Sequence, residues 1–307
     1  MGKDYTKQHI VPQRYLDRFG TKDGKRTIIG TRIVVNGEPR FFPESTANVG
    51  YIKNYYDVTD KNDPKYWEHF FAKQIDSLCG QNMESLIGKI NLTQDGIPVL
   101  TDQDKEMLSR VIIAQLMRIP ANVDYVKNTI YPRISKRVKK DLTSMLPDFL
   151  VEKYGGQIQN TELPEQYQKE VILNHAFEPD NFDRYCDVLR GNIWSVFVNK
   201  RSNVMPFFTS DNPVIVEGYG KTGTGLFHHG LASPTTCIYY PLTPSIAVVI
   251  YSRQGIVGLA AEKYEDRKVL LDDMKYIAKK NLTMMEQAYT HSFIPQPIFD
   301  TIRAEMT

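Results

Sequence analysis

The chain has 307 residues, 41% hydrophobic and 24% charged, with a formal net charge of +2: enough length to bury a sizeable core, and too little charge for a global nucleic-acid footprint, so any such footprint has to be a local patch. Cys79, Cys186 and Cys237 are odd in number and far apart, without metal-ligand spacing, which sets aside a disulfide framework and a zinc site and fits a reducing, cytoplasmic location. Residues 1–9 lack a basic-then-apolar signal, and no run of about 18 apolar residues could span a bilayer.

In chain order, Pro12 at a first helical turn, followed by Tyr15, Leu16 and Phe19, predicts a short helix over 12–19 ended by Gly20. His9 stands just before it, where free N–H groups could meet a phosphate, although a histidine there could equally act as a cap. The β-branched run 26–35 ends at Asn36-Gly37 and returns through Pro39–Phe42, a hairpin. A polar loop carrying Ser45 and Asn48 follows, then a strand over 55–58. Apolar residues from Trp67 to Ile90 at three- and four-residue spacing predict one amphipathic helix over 64–90, broken near Gly80, with Glu68, Asp76 and Glu84 on or beside its polar side. Thr101 to Arg118 is a second helix on which Arg110, Ala114 and Arg118 form one stripe with Gln115 beside it. A further helix over 121–146 ends in the one dense basic segment, Arg133, Lys136, Arg137, Lys139 and Lys140, suited to phosphate contacts or simply to a solvated face.

Residues 155–166 read as a polar connector and 167–190 as two helices split at Pro179. Short β-rich runs then recur at 193–198, 206–208, 214–216, 236–240 and 246–251, with Pro241–Pro244 as a rigid turn among them. Residues 261–289 return to helix, with Asn281 a polar residue among Leu282, Met284 and Met285, before a strand at 291–294 and a terminal helix. These elements predict an α+β fold in a single domain over 1–307: an N-terminal helix and hairpin over 1–60, a helical region over 61–190, a β-rich region over 191–251 and C-terminal helices over 252–307. A central antiparallel sheet is expected from 26–58 and 193–251.

The stretch 205–213 places Thr209, Ser210, Asp211 and Asn212 between Phe207-Phe208 and Pro213, which forces Asn212 out of the helical region. The stretch reads either as an Asx-turn between strands or as a reactive polar cluster. Several other chemistries are weakened. Gly220-Lys221-Thr222 lacks the first glycine of a P-loop, Ile215 standing in its place, and no βαβ unit surrounds Gly218 to Gly225. His228-His229 point to opposite faces if they lie on a strand. There is no Gly-x-Ser-x-Gly elbow and no His-Glu-x-x-His helix.

Taken together, His9-Ile-Val-Pro12 with Tyr15-Leu16 and Phe19, Asn48-Val-Gly50, Tyr55-Tyr56, Glu68, Arg118-Ile-Pro120, Phe208-Thr-Ser-Asp-Asn-Pro213 and Pro241-Leu-Thr-Pro244 resemble, in order and over nearly the whole chain, the bacterial family known as domain of unknown function 4238. The resemblance implies one domain of about this length and assigns no catalytic roles.

From the residues themselves, one reading is a hydrolase acting on a phosphate-containing substrate, most concretely a nuclease or nucleotide hydrolase. In it His9, Asp211 and Glu68 are catalytic, Arg14, Arg118, Ser210, Asn212 and Asn48 bind substrate, and Mg2+ or Mn2+ is the candidate ion on the carboxylates. A toxin or antiviral effector is the corresponding role by analogy. The alternatives are a module that binds a ligand, an RNA or a protein, and a buried network of His9, Arg118 and Asp211 that ties the N-terminal helix to the sheet.

Overall fold

The computed structural model describes residues 6–58, 63–161, 165–219 and 229–305. Gly220-Lys221-Thr222 and His228 lie outside the described residues.

The fold is α+β, with three sheets where the sequence predicts one. The largest has the strand order β11 (Lys268–Leu271), β6 (Ile193–Asn199), β10 (Ile246–Tyr251), β9 (Thr236–Thr243), β8 (Ile215–Gly218), antiparallel except for the β11–β6 pair. Successive residues of β9 and β10 face opposite sides, and both sides are apolar. Ile238, Tyr240, Val248 and Ile250 join the main core, which draws on residues from Ile10 to Phe293, while Tyr239, Ala247 and Val249 meet Ile277 and Met284 of the Met274–Glu286 helix. Burial on both faces explains why these strands read as continuous apolar runs.

The second sheet is built on the long strand β3 (Arg26–Val35). Its hairpin partner is β4 (Glu38–Ser45), joined through Asn36 and Gly37, both at positive φ as the tight turn requires. Its other edge takes β2 (Thr21–Asp23) and then β12 (His291–Ile294), which in turn pairs with β7 (Thr209–Ser210). The polar stretch 205–213 therefore leaves the β-rich region and joins the N-terminal hairpin. Gly30 of β3 is required because Phe299 of the Gln296–Glu305 helix lies where a Cβ would be, 2.3 Å away. The third sheet is the pair β1 (Lys7–His9) and β5 (Tyr51–Lys53).

The helical region departs from simple periodicity at two places. The expected 64–90 helix is Tyr66–Phe70, then a wider π turn at Phe71–Ile75, a 3₁₀ turn at Asp76–Cys79, and a new helix, Gln81–Leu92, after the break at Gly80. The Asp102–Arg118 helix starts with the capping box that Thr101 and Asp104 encode. It is followed by Pro120–Tyr125, a π turn at Val126–Ile130, and Tyr131–Met145.

Four expectations are corrected. The polar run 155–160 is the end of the Asp148–Asn160 helix, packed through the buried Gly155. The helix expected over 261–289 is interrupted by β11, because Lys268 to Leu271 add a parallel strand to β6. Pro241–Thr243 completes β9 and is not a turn. Tyr55 and Tyr56 follow β5 in a turn and are not a strand.

Candidate functional site

The two signature stretches do meet. Tyr15, on the four-residue helix Gln13–Leu16, is fully buried, and its hydroxyl lies 2.7 Å from Thr209 Oγ1 while donating to the Pro241 carbonyl at 2.8 Å. Beyond that link their polar groups serve different networks.

Asp211 is 1% exposed, and its carboxylate is saturated from the far end of the chain: Oδ1 accepts from Tyr289 N at 2.7 Å, and Oδ2 accepts from Thr290 N at 2.8 Å, Thr290 Oγ1 at 2.6 Å and His291 N at 2.8 Å. The histidine near it is His291, at 3.7 Å, not His9. Ser210 Oγ accepts from Asn212 N and donates to Met284 Sδ, and Asn212 Nδ2 donates to the Gln287 carbonyl. Asn281, the polar residue in its helix, clamps the residues just before, accepting from Phe208 N at 2.9 Å and donating to the Pro206 carbonyl at 2.8 Å. Ser210, Asp211 and Asn212 thus fasten the segment to the Met274–Glu286 helix and the turn after it.

His9, Arg14 and Glu68 instead converge on one pocket of about 310 Å³, together with Pro12, Gln13, Ala72, Asp76 and Ser77. β1 pairs His9 with Tyr51 of β5, and the amides of Ile10 and Val11 then both donate to the Gly50 carbonyl, which turns the chain into the short helix. Gly50 sits at φ +65, and a Cβ there would come within 2.9 Å of Leu16, a physical reason for the glycine of Asn48-Val-Gly50. Across the pocket, Glu68, Ala72 and Asp76 recur every fourth residue through the π turn and so line one wall.

Arg118 lies behind Asp76, outside the pocket lining. It is fully buried, donates to Asp76 Oδ1 at 2.9 Å and to Gln115 Oε1 at 3.1 Å, and lies over the Phe71 ring. Gln115 Nε2 in turn donates to the Ile10 carbonyl at 2.7 Å, so the chain Asp76, Arg118, Gln115, Ile10 ties the carboxylate wall to the backbone beside His9. The stripe read from the sequence divides here, because Arg110 pairs with Asp183 and packs over Phe182. Arg118 is therefore committed to structure, and its charge acts on the pocket from below.

Three pocket groups carry no such commitment among the described residues. His9 Nε2 is buried without a hydrogen-bond partner, and neither the half-buried Glu68 carboxyl nor the exposed Arg14 guanidinium, which lies over Gly80, makes a hydrogen bond or ion pair. Burial, reinforced by Arg118 and Lys7, holds the His9 imidazole down at about 4, so it is neutral at pH 7. Burial and then the nearby Asp76 carboxylate push Glu68 up to about 7, against the opposing pull of Arg118. Asp76 is itself pushed upward by burial, with Arg118 opposing. A carboxyl poised near neutrality beside a neutral imidazole and an exposed guanidinium can exchange a proton and hold an anion.

Of the residues expected to bind or react, His9, Arg14 and Glu68 line this pocket and Arg118 underlies it. Asn48 is exposed outside it, bonded to Lys7 and Glu44. Asp76 is the group that sequence reasoning passed over. Its signal was present as a second acid on the Glu68 face, indistinguishable there from a solvated carboxylate. Among the described residues no group of three or more His, Cys, Asp or Glu side chains is arranged to hold a metal; the carboxylates that line this pocket are Glu68 and Asp76. No helix among the described residues is long and apolar enough to cross a membrane.

No curated protein and no solved structure matches the chain. A family model does match, over residues 7–295. Because that match runs from β1 through β12, the chain belongs to the family described as Protein of unknown function (DUF4238).

Proposed function

We propose that the His9, Arg14 and Glu68 pocket is the active site of a hydrolase acting on a phosphate-containing substrate. The observation that carries this reading is the convergence, from three separate elements, of three polar side chains with no partner among the described residues. In this scheme Arg14 takes the phosphate oxygens, for which a planar guanidinium is suited. Glu68, ionised in part at neutral pH, removes the proton from a water as the water attacks phosphorus, and returns it to the departing oxygen. Neutral His9 contributes an uncharged wall beside the substrate. The fixed charges below favour the anionic transition state through Arg118.

The test is turnover of a phosphate monoester, a phosphodiester, DNA and RNA by the wild type and by Glu68→Gln. The expected outcome is a loss of about 10²–10⁴-fold in kcat for whichever substrate is cleaved, the usual worth of a general acid-base group. Equal activity in the two proteins, or none on any of these substrates, would remove the proposal. If the substrate is nucleic acid, the role proposed by analogy is that of a toxin or antiviral effector, and growth arrest on expression should depend on Glu68.

A second reading has its own observation. Arg133, Lys136, Arg137 and Lys140 are exposed on the Tyr131–Met145 helix, a local basic face of the kind that contacts nucleic acid without chemistry. Binding that persists in Glu68→Gln and weakens steeply with salt would favour a recognition module.

A further inference from the structure

A second pocket, of about 460 Å³, lies at the end of the large sheet and shares no lining residue with the first. Its floor is a row across three strands, since Glu217 of β8 and Tyr251 of β10 both pair with Cys237 of β9 and so present side chains on one face. The Met274–Glu286 helix covers that row and contributes Tyr276 and, four residues on, Lys280. Lys280 is 4% exposed, forms an ion pair with the Glu217 carboxylate, and holds its ammonium 5.5 Å from the centres of both the Tyr239 and Tyr276 rings.

The chain supplies its own comparison. Lys268 is also buried, but its ammonium donates to the carbonyls of Ile90 at 3.0 Å and Thr93 at 2.7 Å, closing the end of the Gln81–Leu92 helix. Lys268 is a structural cap, whereas Lys280 opens onto a cavity.

We propose that Lys280 is a Schiff-base lysine and that this pocket takes a small aldehyde or ketone. In the step, Glu217 accepts a proton from the ammonium and the freed amine adds to the carbonyl carbon. The proton then returns, water leaves with the carbonyl oxygen, and a protonated imine remains. Charge is conserved from ammonium plus carbonyl to iminium plus water. The carboxylate and tyrosine faces that hold the ammonium are therefore suited to the iminium as well.

The test treats the full chain with pyridoxal and cyanoborohydride, then maps the reduced adduct by peptide mass. Lys280 should be modified at least about tenfold faster than the exposed lysines, a modest part of the advantage that holding two reactants together can give, and Lys268 should stay unmodified. Lys280→Arg keeps the charge opposite Glu217 and the ring contacts, so it should fold and lose only this adduct. Modification spread over exposed lysines, with Lys280 as inert as Lys268, would overturn the proposal.

Discussion

Glu68 and His9 perturb folding in opposite senses, and each can be read in a single substitution. Glu68 rises from an ordinary 4.5 to about 7 on folding, so the folded state binds the extra proton. The associated stability is present below pH 4.5 and is lost as pH rises to 7. His9 falls from 6.5 to about 4, so the unfolded state binds the extra proton and stability is lost as pH falls from 6.5 to 4. In the intact protein the two nearly cancel between pH 4.5 and 6.5. Glu68→Gln should therefore leave a stability that rises with pH over 4 to 6.5, and His9→Gln one that falls over 4.5 to 7. Each trend should be on the order of 1–2 kcal/mol once the shifts are discounted for solvent screening. Urea unfolding at pH 5 and pH 7 checks both, and parallel curves for the two variants would contradict the assignment. A third residue-scale expectation concerns Asp211. Asn would turn an N–H donor toward backbone amides that now donate to a carboxylate, so Asp211→Asn should lower stability by about 2–4 kcal/mol. Its thermal midpoint should drop, whereas Glu68→Gln at pH 7 should not fall below wild type.

Among the elements, legibility followed locality. The Asn36-Gly37 hairpin, the helix opening at Thr101, the break at Gly80 and the helix start at Pro179 were readable because each is fixed by side chains within a turn of the place concerned. The strand at Lys268 was not, since its helix-like spacing is overruled by parallel pairing with residues 196 to 199, a contact no local pattern records. The site divides on the same principle. His9, Arg14 and Glu68 stood out as reactive residue types, and the structure brings them to one pocket. The polar run at 209–212 stood out equally, but its meaning depended on Asn281, Gln287 and Tyr289 to His291, which sequence alone could not place opposite it. Gly30 tests the element scale directly. In Gly30→Ala the new Cβ would fall inside the Phe299 ring contact and against the Ile294 carbonyl, so stability should fall by about 1–3 kcal/mol, the range for overpacking. Phe299→Ala in the same background should give back part of the loss by double-mutant cycle, and strict additivity would contradict the contact.

For the whole molecule, the topology closes late. β12 lies between β3 and β7, so residues 291–294 join a strand from the first tenth of the chain to one from its last third. Until they arrive, β3 lacks its neighbour over Gly30 to Ile33, and the Asp211 carboxylate lacks the amides of Tyr289, Thr290 and His291. Residues 291–294 must therefore emerge before the hairpin over 26–45 can be sealed. During that interval the open margin of β3 is a docking rail for any extended peptide, including a neighbouring nascent chain. Refolding should be slow for the protein's size, as closures spanning most of a chain are. A product terminated before residue 289 should aggregate, where one ending just after the Ile294 strand keeps the sheet complete. For a cell, that makes the arrival of residues 289 to 294 the step that separates a folded molecule from an adhesive one.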